Sequence, residues 1–272
     1  MKKALAVAVL VMVVGAGCQS ASRTRQFEQF GKAYYLDGAG NLGFGHETVV
    51  QGLRQAGFGG DVENIIWTTF TGPLGDQLIR VNARLRAKDL TRKIVEYKQR
   101  YPDAPVYVIG LSAGTGVATW AVESLPDAMQ IDTMVLLGSS LSSGYDMSKA
   151  LTHVRDKVHV IYSPRDAVLT GFIPVTGTID GQYLVEPAGL VGMRAPGGAS
   201  SEAQALYSEK INNIPWCPAF ERLDYAGGHT DGTSFRFVRH YIGPKLLNVG
   251  HTASAATTQP AGSVIAIARA EE

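Results

Sequence analysis

The sequence lacks an excess of charge of either sign. It contains 25 Lys and Arg residues against 24 Asp and Glu residues, a formal net charge of +1, and no long basic run. These features give no basis for nucleic-acid binding. The sequence also lacks internal repeats with a period of about 20 to 50 residues, which argues against a solenoid or a propeller. With 45% hydrophobic residues over 272 positions, the chain can bury one substantial core.

The first 18 residues have the pattern of an export signal. Two lysines precede an apolar run over residues 4–14, and Gly-Ala-Gly leads to Cys18. The run is too short for a comfortable membrane span, so we interpret residues 1–18 as a secretory signal peptide. The Gly-Ala-Gly-Cys ending resembles a bacterial lipobox, although Gly15 stands where that motif usually has a branched aliphatic residue. The resemblance implies a lipid on Cys18; plain secretion after cleavage near the Ala-x-Ala-like region and an uncleaved anchor are the alternatives.

Cysteine is scarce, since only Cys18 and Cys217 occur in the chain. A lipidated Cys18 cannot pair, so we expect no structural disulfide despite an extracytoplasmic, membrane-anchored location in a bacterial cell envelope. The polar residues 19–28 are predicted to form a tether. Residues 248–272, rich in Thr, Ala and Ser, are predicted to be a disordered tail. Residues 29–247 would then form a single domain.

The segment VYVIGLSAGTG, residues 106–116, has the pattern of a strand, a sharp turn and a helix. A serine at such a turn takes a cramped backbone conformation, so its neighbours two positions away must be small, as Gly110 and Gly114 are. The pattern therefore predicts that Ser112 projects from the carboxyl end of a sheet, in front of the free N–H groups of a helix. Because glycine is frequent here, with 31 residues, a plain glycine-rich turn is the competing interpretation.

The stretch YPDAPVYVIGLSAGTG resembles the nucleophile elbow of the α/β-hydrolase superfamily, and the likeness extends in element order over most of residues 30–247. It implies an α/β fold with a mostly parallel central sheet and helices on both faces. It also implies a Ser-Asp-His triad and a two-donor oxyanion hole, with no metal or organic cofactor. One oxyanion donor would be the N–H of Ala113, and the other that of Ala39 or Gly40 in the loop after the predicted strand 32–36. An ordinary strand-to-helix turn is the alternative for that loop.

The resemblance assigns the acid of the triad to Asp166, which leaves the predicted strand 158–162 through Ser-Pro-Arg-Asp. A carboxylate is needed here to fix the tautomer of the histidine and to stabilise its cation. The competing view is a turn aspartate that pairs with Arg165 or caps the next turn. Asp146 is a minor alternative acid and is better explained as a helix N-cap.

The general base implied by the resemblance is His229, in the small-residue loop AGGHTDG after a predicted strand at 220–225. The triad then follows the chain order Ser, Asp, His. Asp231 could cap a helix or orient this loop, and one histidine with one aspartate gives little support for a metal site.

Four further predictions concern the rest of the domain. We predict a strand at 64–70, a loop at 71–82 and a buried strand at 131–138, and we predict a helix over 90–101 from its apolar periodicity. The 63 positions between Asp166 and His229 exceed what one crossover requires. Residues 168–213 could therefore form a cap over the site, or strands within the body of the domain.

Taken together, these features predict a hydrolase of a small-molecule acyl substrate that attacks a carbonyl carbon through Ser112. Ester cleavage of the carboxylesterase or lipase type is the leading expectation because it is the commonest use of this arrangement. Amide, thioester and peptide bonds remain open. The competing hypothesis is a catalytically silent envelope lipoprotein that uses the scaffold for binding. The sequence does not indicate an oligomeric state.

Overall fold

The computed structural model describes residues 26–40, 43, 45–67 and 75–247. Six strands form a single sheet in the order β2-β1-β3-β4-β5-β6, and every neighbouring pair is parallel. The strands are β1 Lys32–Leu36, β2 Asp61–Asn64, β3 Val106–Leu111, β4 Thr133–Leu137, β5 Val158–Tyr162 and β6 Ile211–Pro215. The predicted parallel central sheet is therefore confirmed.

Helices cover both faces of the sheet. They are α1 His46–Gln55, α2 Gly75–Arg100, α3 Gly114–Glu123, α4 Ser148–Thr152, α5 Ala167–Thr176, α6 Ala188–Val191, α7 Ser201–Lys210, α8 Phe235–Phe237 and α9 Gly243–Leu247, with a π-helical turn Val238–Ile242 between the last two. Side chains of a strand alternate between faces, so Tyr34 enters the core cluster that includes α2 and α3, while Tyr35 enters the cluster that includes α1. The chain has the predicted α/β fold, with helices packed on either side of a parallel sheet.

The first edge strand differs from its prediction. It lies at Asp61–Asn64, and residues 65–67 of the predicted strand 64–70 are outside it, while 68–70 are outside the described residues. The predicted strand was therefore placed too late in the chain. All four residues of β2 are half-buried, and Asp61 and Glu63 bind Lys32 of β1. An edge strand that uses acidic side chains in this way has no run of apolar residues to reveal it.

The opposite edge was also predicted wrongly. Residues 220–225 are not a strand, because Pro218–Leu223 is a 3₁₀ helix and Asp224 then takes a left-handed φ of 61°. The sixth strand is instead Ile211–Pro215, at the end of the predicted insertion 168–213. The rest of that segment supplies α5, α6 and α7.

Two other boundaries differ from the predictions. The predicted loop 71–82 is helical from Gly75, because α2 runs over 26 residues to Arg100 and includes most of the predicted helix 90–101. The predicted strand 131–138 is shorter, at Thr133–Leu137, and Ile131 forms only an isolated bridge.

The predicted signal peptide 1–18 with Cys18, most of the tether 19–28 and the tail 248–272 lie outside the described residues. Within the described part, no helix is long and apolar enough to cross a membrane.

His159 on β5 makes the stability of the fold depend on pH. Its Nδ1 accepts from Asn212 Nδ2 at 2.9 Å, and its buried Nε2 has no partner among the described residues. Burial, with smaller contributions from Lys245 and Lys157, lowers the pKa of His159 to about 4. The unfolded chain therefore takes up a proton near the ordinary pKa of about 6.5, whereas the folded chain takes it up only near 4.

We therefore expect the free energy of unfolding to fall by up to about 3 kcal/mol as the pH drops from 6.5 to 4, on account of this residue. The measurement is urea unfolding at several pH values for wild type, His159→Gln and, as a control, His240→Gln on the surface. His159→Gln should show a flatter pH profile than the other two. Parallel profiles for all three proteins would contradict the assignment.

Candidate functional site

Ser112 lies on a sharp turn between β3 and α3 at the carboxyl end of the sheet. Its φ is 53°, one of four positive values among the non-glycine residues described. A Cβ at Gly110 would lie 2.8 Å from Thr115 Cα, and one at Gly114 would overlap Asp37 O and lie 2.6 Å from Leu36 O. Only glycine fits at these two positions, so the predicted steric reason for the motif agrees with the structure. Gly114, however, gives room to the end of β1 as well as to its own turn.

Two segments beside Ser112 contain backbone N–H groups without a hydrogen-bond partner among the described residues. In the part of the chain that the structure describes, the Ala113 N–H donates no hydrogen bond, and neither do those of Ala39 and Gly40. The loop after β1 contacts the nucleophile position, because a Cβ at Gly38 would lie 3.2 Å from Ser112 Cβ. These N–H groups are available to a substrate oxygen, and the geometry leaves the choice between Ala39 and Gly40 open.

Asp166 and His229 are in direct contact. His229 Nδ1 lies 2.7 Å from Asp166 Oδ2, and the carboxylate side chain is only 2% exposed. Asp166 Oδ1 meanwhile accepts from Leu169 N at 3.0 Å and caps α5. Asp166 therefore caps a helix through Oδ1 and contacts the histidine through Oδ2. Arg165, the alternative partner considered for Asp166, instead donates to Glu221 and stacks over the ring of Trp216.

The end of β4 links the Asp-His pair to the serine. Ser112 N donates to Leu137 O at 2.9 Å. At the next residue, a Cβ on Gly138 would lie 3.3 Å from Asp166 Oδ2 and 3.4 Å from His229 Nδ1. The structure thus brings the three predicted residues to one edge of the sheet. In the described chain no hydrogen bond joins the Ser112 hydroxyl to His229, whose bonded ring nitrogen is Nδ1. Such contacts are often long before a substrate binds.

The loop that carries His229 is held by Asp231. Its Oδ2 accepts from Ala226 N at 3.0 Å and from Gly228 N at 2.8 Å. Of the two roles considered for Asp231, the structure supplies loop orientation. The loop is also fixed at its start, because Trp216 Nε1 donates to Tyr225 O at 2.9 Å.

The serine-rich segment after β4 forms another border of the site. Ser140 N lies 3.4 Å from Ser112 O, and Thr115 Oγ1 lies 2.8 Å from Ser139 Oγ. Asp180 binds both the N–H and the hydroxyl of Ser142, which attaches residues of the 168–213 segment to this border. Asp146 is not at the site's Asp-His pair; it accepts from Ser148 N at the start of α4.

Asp37 has a place that sequence reasoning missed. The residue is 1% exposed and binds backbone N–H groups of its own loop. Its position directly after a strand and before glycine was a visible signal, but the contacts depend on the folded loop. As for metals, the described residues contain no group of three or more His, Cys, Asp or Glu side chains placed to bind one.

No family model and no curated protein matches this sequence. Matching solved structures include a cutinase-like protein from Cryptococcus sp., 13% identical with a TM-score of 0.43, which covers 80% of this chain and 93% of its own. A putative α/β-superfamily hydrolase from Xanthomonas campestris pv. campestris is 15% identical with a TM-score of 0.41 and covers 76% of this chain and 96% of its own. The esterase domain of a Rhodothermus marinus protein is 14% identical with a TM-score of 0.35, and covers 80% and 85%. These likenesses are too distant to bear on activity.

Proposed function

We propose that this protein is a serine hydrolase that cleaves an ester through an acyl-enzyme intermediate. The observation that carries the proposal is the 2.7 Å contact between Asp166 and His229, beside a serine held at φ 53° on a strand-to-helix turn. A buried carboxylate, an imidazole and a partly accessible serine hydroxyl are the three groups that nucleophilic acyl transfer requires. Their chain order, Ser112, Asp166, His229, is that of α/β-hydrolases.

In the proposed reaction, His229 Nδ1–H donates a hydrogen bond to Asp166, and the proton stays on Nδ1. The lone pair of Nε2 is then free to act as the base. The Ser112 oxygen forms a bond to the substrate carbonyl carbon while its proton passes to Nε2. His229 then gives that proton to the leaving alcohol as the ester bond breaks. Water repeats the sequence on the acyl-enzyme, releasing the acid and restoring the Ser112 hydroxyl.

The oxyanion of each tetrahedral intermediate would be bound by the N–H of Ala113 and that of Ala39 or Gly40. Each such donor is worth about 3 kcal/mol of transition-state stabilisation. The N-terminus of α3, which begins at Gly114, adds a favourable partial positive charge at the same place.

The exposed apolar residues of α5 favour a substrate with an apolar group. The helix α5 begins directly after Asp166 and exposes Val168, Phe172 and Val175 on one face, with exposures of 43%, 64% and 79%. Exposed apolar surface of this kind commonly marks a binding site. We therefore propose that α5 and the segment after it border the substrate. We retain the proposals of an extracytoplasmic location and of membrane attachment through lipid on Cys18.

A fluorophosphonate probe tests the proposed function directly, because it labels only an activated serine. Wild-type protein is expected to form a covalent adduct on Ser112, and Ser112→Ala to form none. Ser124→Ala is the matched control and should label like wild type, since Ser124 lies at the opposite end of α3 from Ser112 and its hydroxyl donates to Trp120 O. Folded wild-type protein that neither labels nor hydrolyses short-chain esters would contradict the proposal and favour a silent scaffold.

A further inference from the structure

We propose that Asp37 is a positioning residue that holds the loop after β1 in the conformation that binds the oxyanion. The inference rests on the proposed hydrolase function and extends it to a residue that touches no reacting atom. Asp37 directly follows β1 and is 1% exposed, so its carboxylate faces protein groups.

The carboxylate of Asp37 fastens its own loop at two points. Oδ1 accepts from Gly38 N at 2.9 Å and from the hydroxyl of Tyr35 at 3.3 Å. Oδ2 accepts from Gly43 N at 2.6 Å. Gly38 and Gly43 are therefore bound by one side chain, and hydrogen bonds to a charged acceptor are about twice as strong as neutral ones.

The backbone of Asp37 connects this loop to the nucleophile turn. Its carbonyl oxygen accepts from Trp67 Nε1 at 2.7 Å, and Gly114 packs directly against the same oxygen. On the other side, Gly38 lies against Ser112, where a Cβ would come within 3.2 Å of Ser112 Cβ. Asp37 thus fixes the spacing between the loop and the start of α3.

The N–H groups that Asp37 binds are not the ones a substrate needs. Gly38 and Gly43 donate to the carboxylate, whereas in the described residues Ala39 and Gly40 donate to nothing. This division leaves the N–H groups of Ala39 and Gly40, the described residues between the fastening points, free for the oxyanion. Loss of the bonds from Gly38 N and Gly43 N would move the N–H groups of Ala39 and Gly40 from their positions. The displacement would weaken binding of the transition state more than binding of the substrate.

The test compares Asp37→Asn with wild type in ester hydrolysis. We expect kcat to fall about 30-fold while KM stays within about twofold of wild type. An asparagine has one acceptor oxygen, so it cannot accept from Gly38 N and Gly43 N on two separate oxygens as the carboxylate does. The inhibition constant of an alkyl boronic acid, whose serine adduct carries an oxyanion mimic, should rise by a similar factor. Asp132→Asn is the matched control. Asp132 is 5% exposed and accepts from Val106 N at 2.8 Å, but at the opposite end of the sheet, so its kcat should be unchanged.

Each outcome of this experiment decides between the two proposals. Active wild type with an unchanged kcat in Asp37→Asn overturns the positioning role alone, as does an equal loss of kcat in Asp132→Asn. Wild type with no turnover and no probe adduct overturns the proposed function and this role with it. Where Asp37→Asn does not fold, Tyr35→Phe removes one of the donors. It should lower kcat about threefold at unchanged KM, and an unchanged kcat overturns the role.

Discussion

Asp166→Asn is expected to lower kcat for ester hydrolysis by about 10,000-fold while leaving the fold intact. An asparagine still caps α5, because its amide oxygen can accept from Leu169 N, and Asn is as good an N-cap as Asp. It cannot, however, hold His229 in the tautomer that presents a lone pair to Ser112 when its amide nitrogen faces Nδ1. The loss should therefore appear in kcat and not in the free energy of unfolding.

Steady-state kinetics and urea unfolding of four variants, namely Asp166→Asn, Asp146→Asn, His229→Ala and Asp166→Asn/His229→Ala, check this expectation. Asp146→Asn is the matched control, since Asp146 also accepts a backbone N–H at a helix start but lies away from His229, and its kcat should equal that of wild type. The double variant Asp166→Asn/His229→Ala should be no slower than His229→Ala alone, because members of a triad act as a unit. An Asp166→Asn enzyme within tenfold of wild type would remove Asp166 from the mechanism.

Lys32→Met is expected to lower the free energy of unfolding by about 4 kcal/mol. The ammonium of Lys32 is buried, with Asp61 Oδ2 at 2.7 Å, Glu63 Oε2 at 2.9 Å and Glu28 Oε1 at 3.5 Å. Removing it leaves three neighbouring carboxylates without their shared cation. Although burial alone lowers the pKa of Lys32, the hydrogen bonds and charges of Asp61 and Glu63 raise it overall, so the group remains charged.

Lys93→Met is the control for this substitution. Lys93 binds the same Glu63 at 2.7 Å, but its side chain is 42% exposed, so its loss should cost less than about 1 kcal/mol. Urea unfolding with equal m-values gives the comparison. Lys32 lies at the amino end of β1, far along the strand from the Ser112 edge, so the kcat of the folded variant should not change. Similar unfolding free energies for the two variants would show that the buried cluster contributes no more than a surface pair.

The central strands could be predicted from sequence and the edge strands could not. In β1, β3, β4 and β5 nearly every residue is buried, and a continuous apolar run follows from cover on both faces. The edges obey another constraint. β2 carries acids that bind Lys32, and β6 carries Asn212 and Asn213, which bind His159 and the backbone of Met193. Because these edge strands contain polar side chains that bind specific partners, they lack the continuous apolar run from which a buried strand is predicted.

The chemical residues of the site were predictable for a different reason. The glycines that its turn requires indicate Ser112, and the resemblance to α/β-hydrolases assigned Asp166 and His229 by their positions after predicted strands. The aspartates that hold the loops around the site are not indicated by any pattern in the neighbouring sequence. Asp37, Asp231 and Asp180 act by accepting backbone N–H groups, and for Asp180 the donor Ser142 is 38 positions away. Only the folded chain shows which aspartate among many meets which amide.

Under the proposed function, the two oxygens of Asp166 couple the position of α5 to the geometry of the Asp-His pair. Oδ1 accepts a hydrogen bond from the first turn of α5, and Oδ2 contacts the imidazole of His229. Unwinding or tilting α5 would therefore move the carboxylate away from His229. Natural variation on the outward side of α5 would then alter turnover as well as selectivity, so the two properties would evolve together.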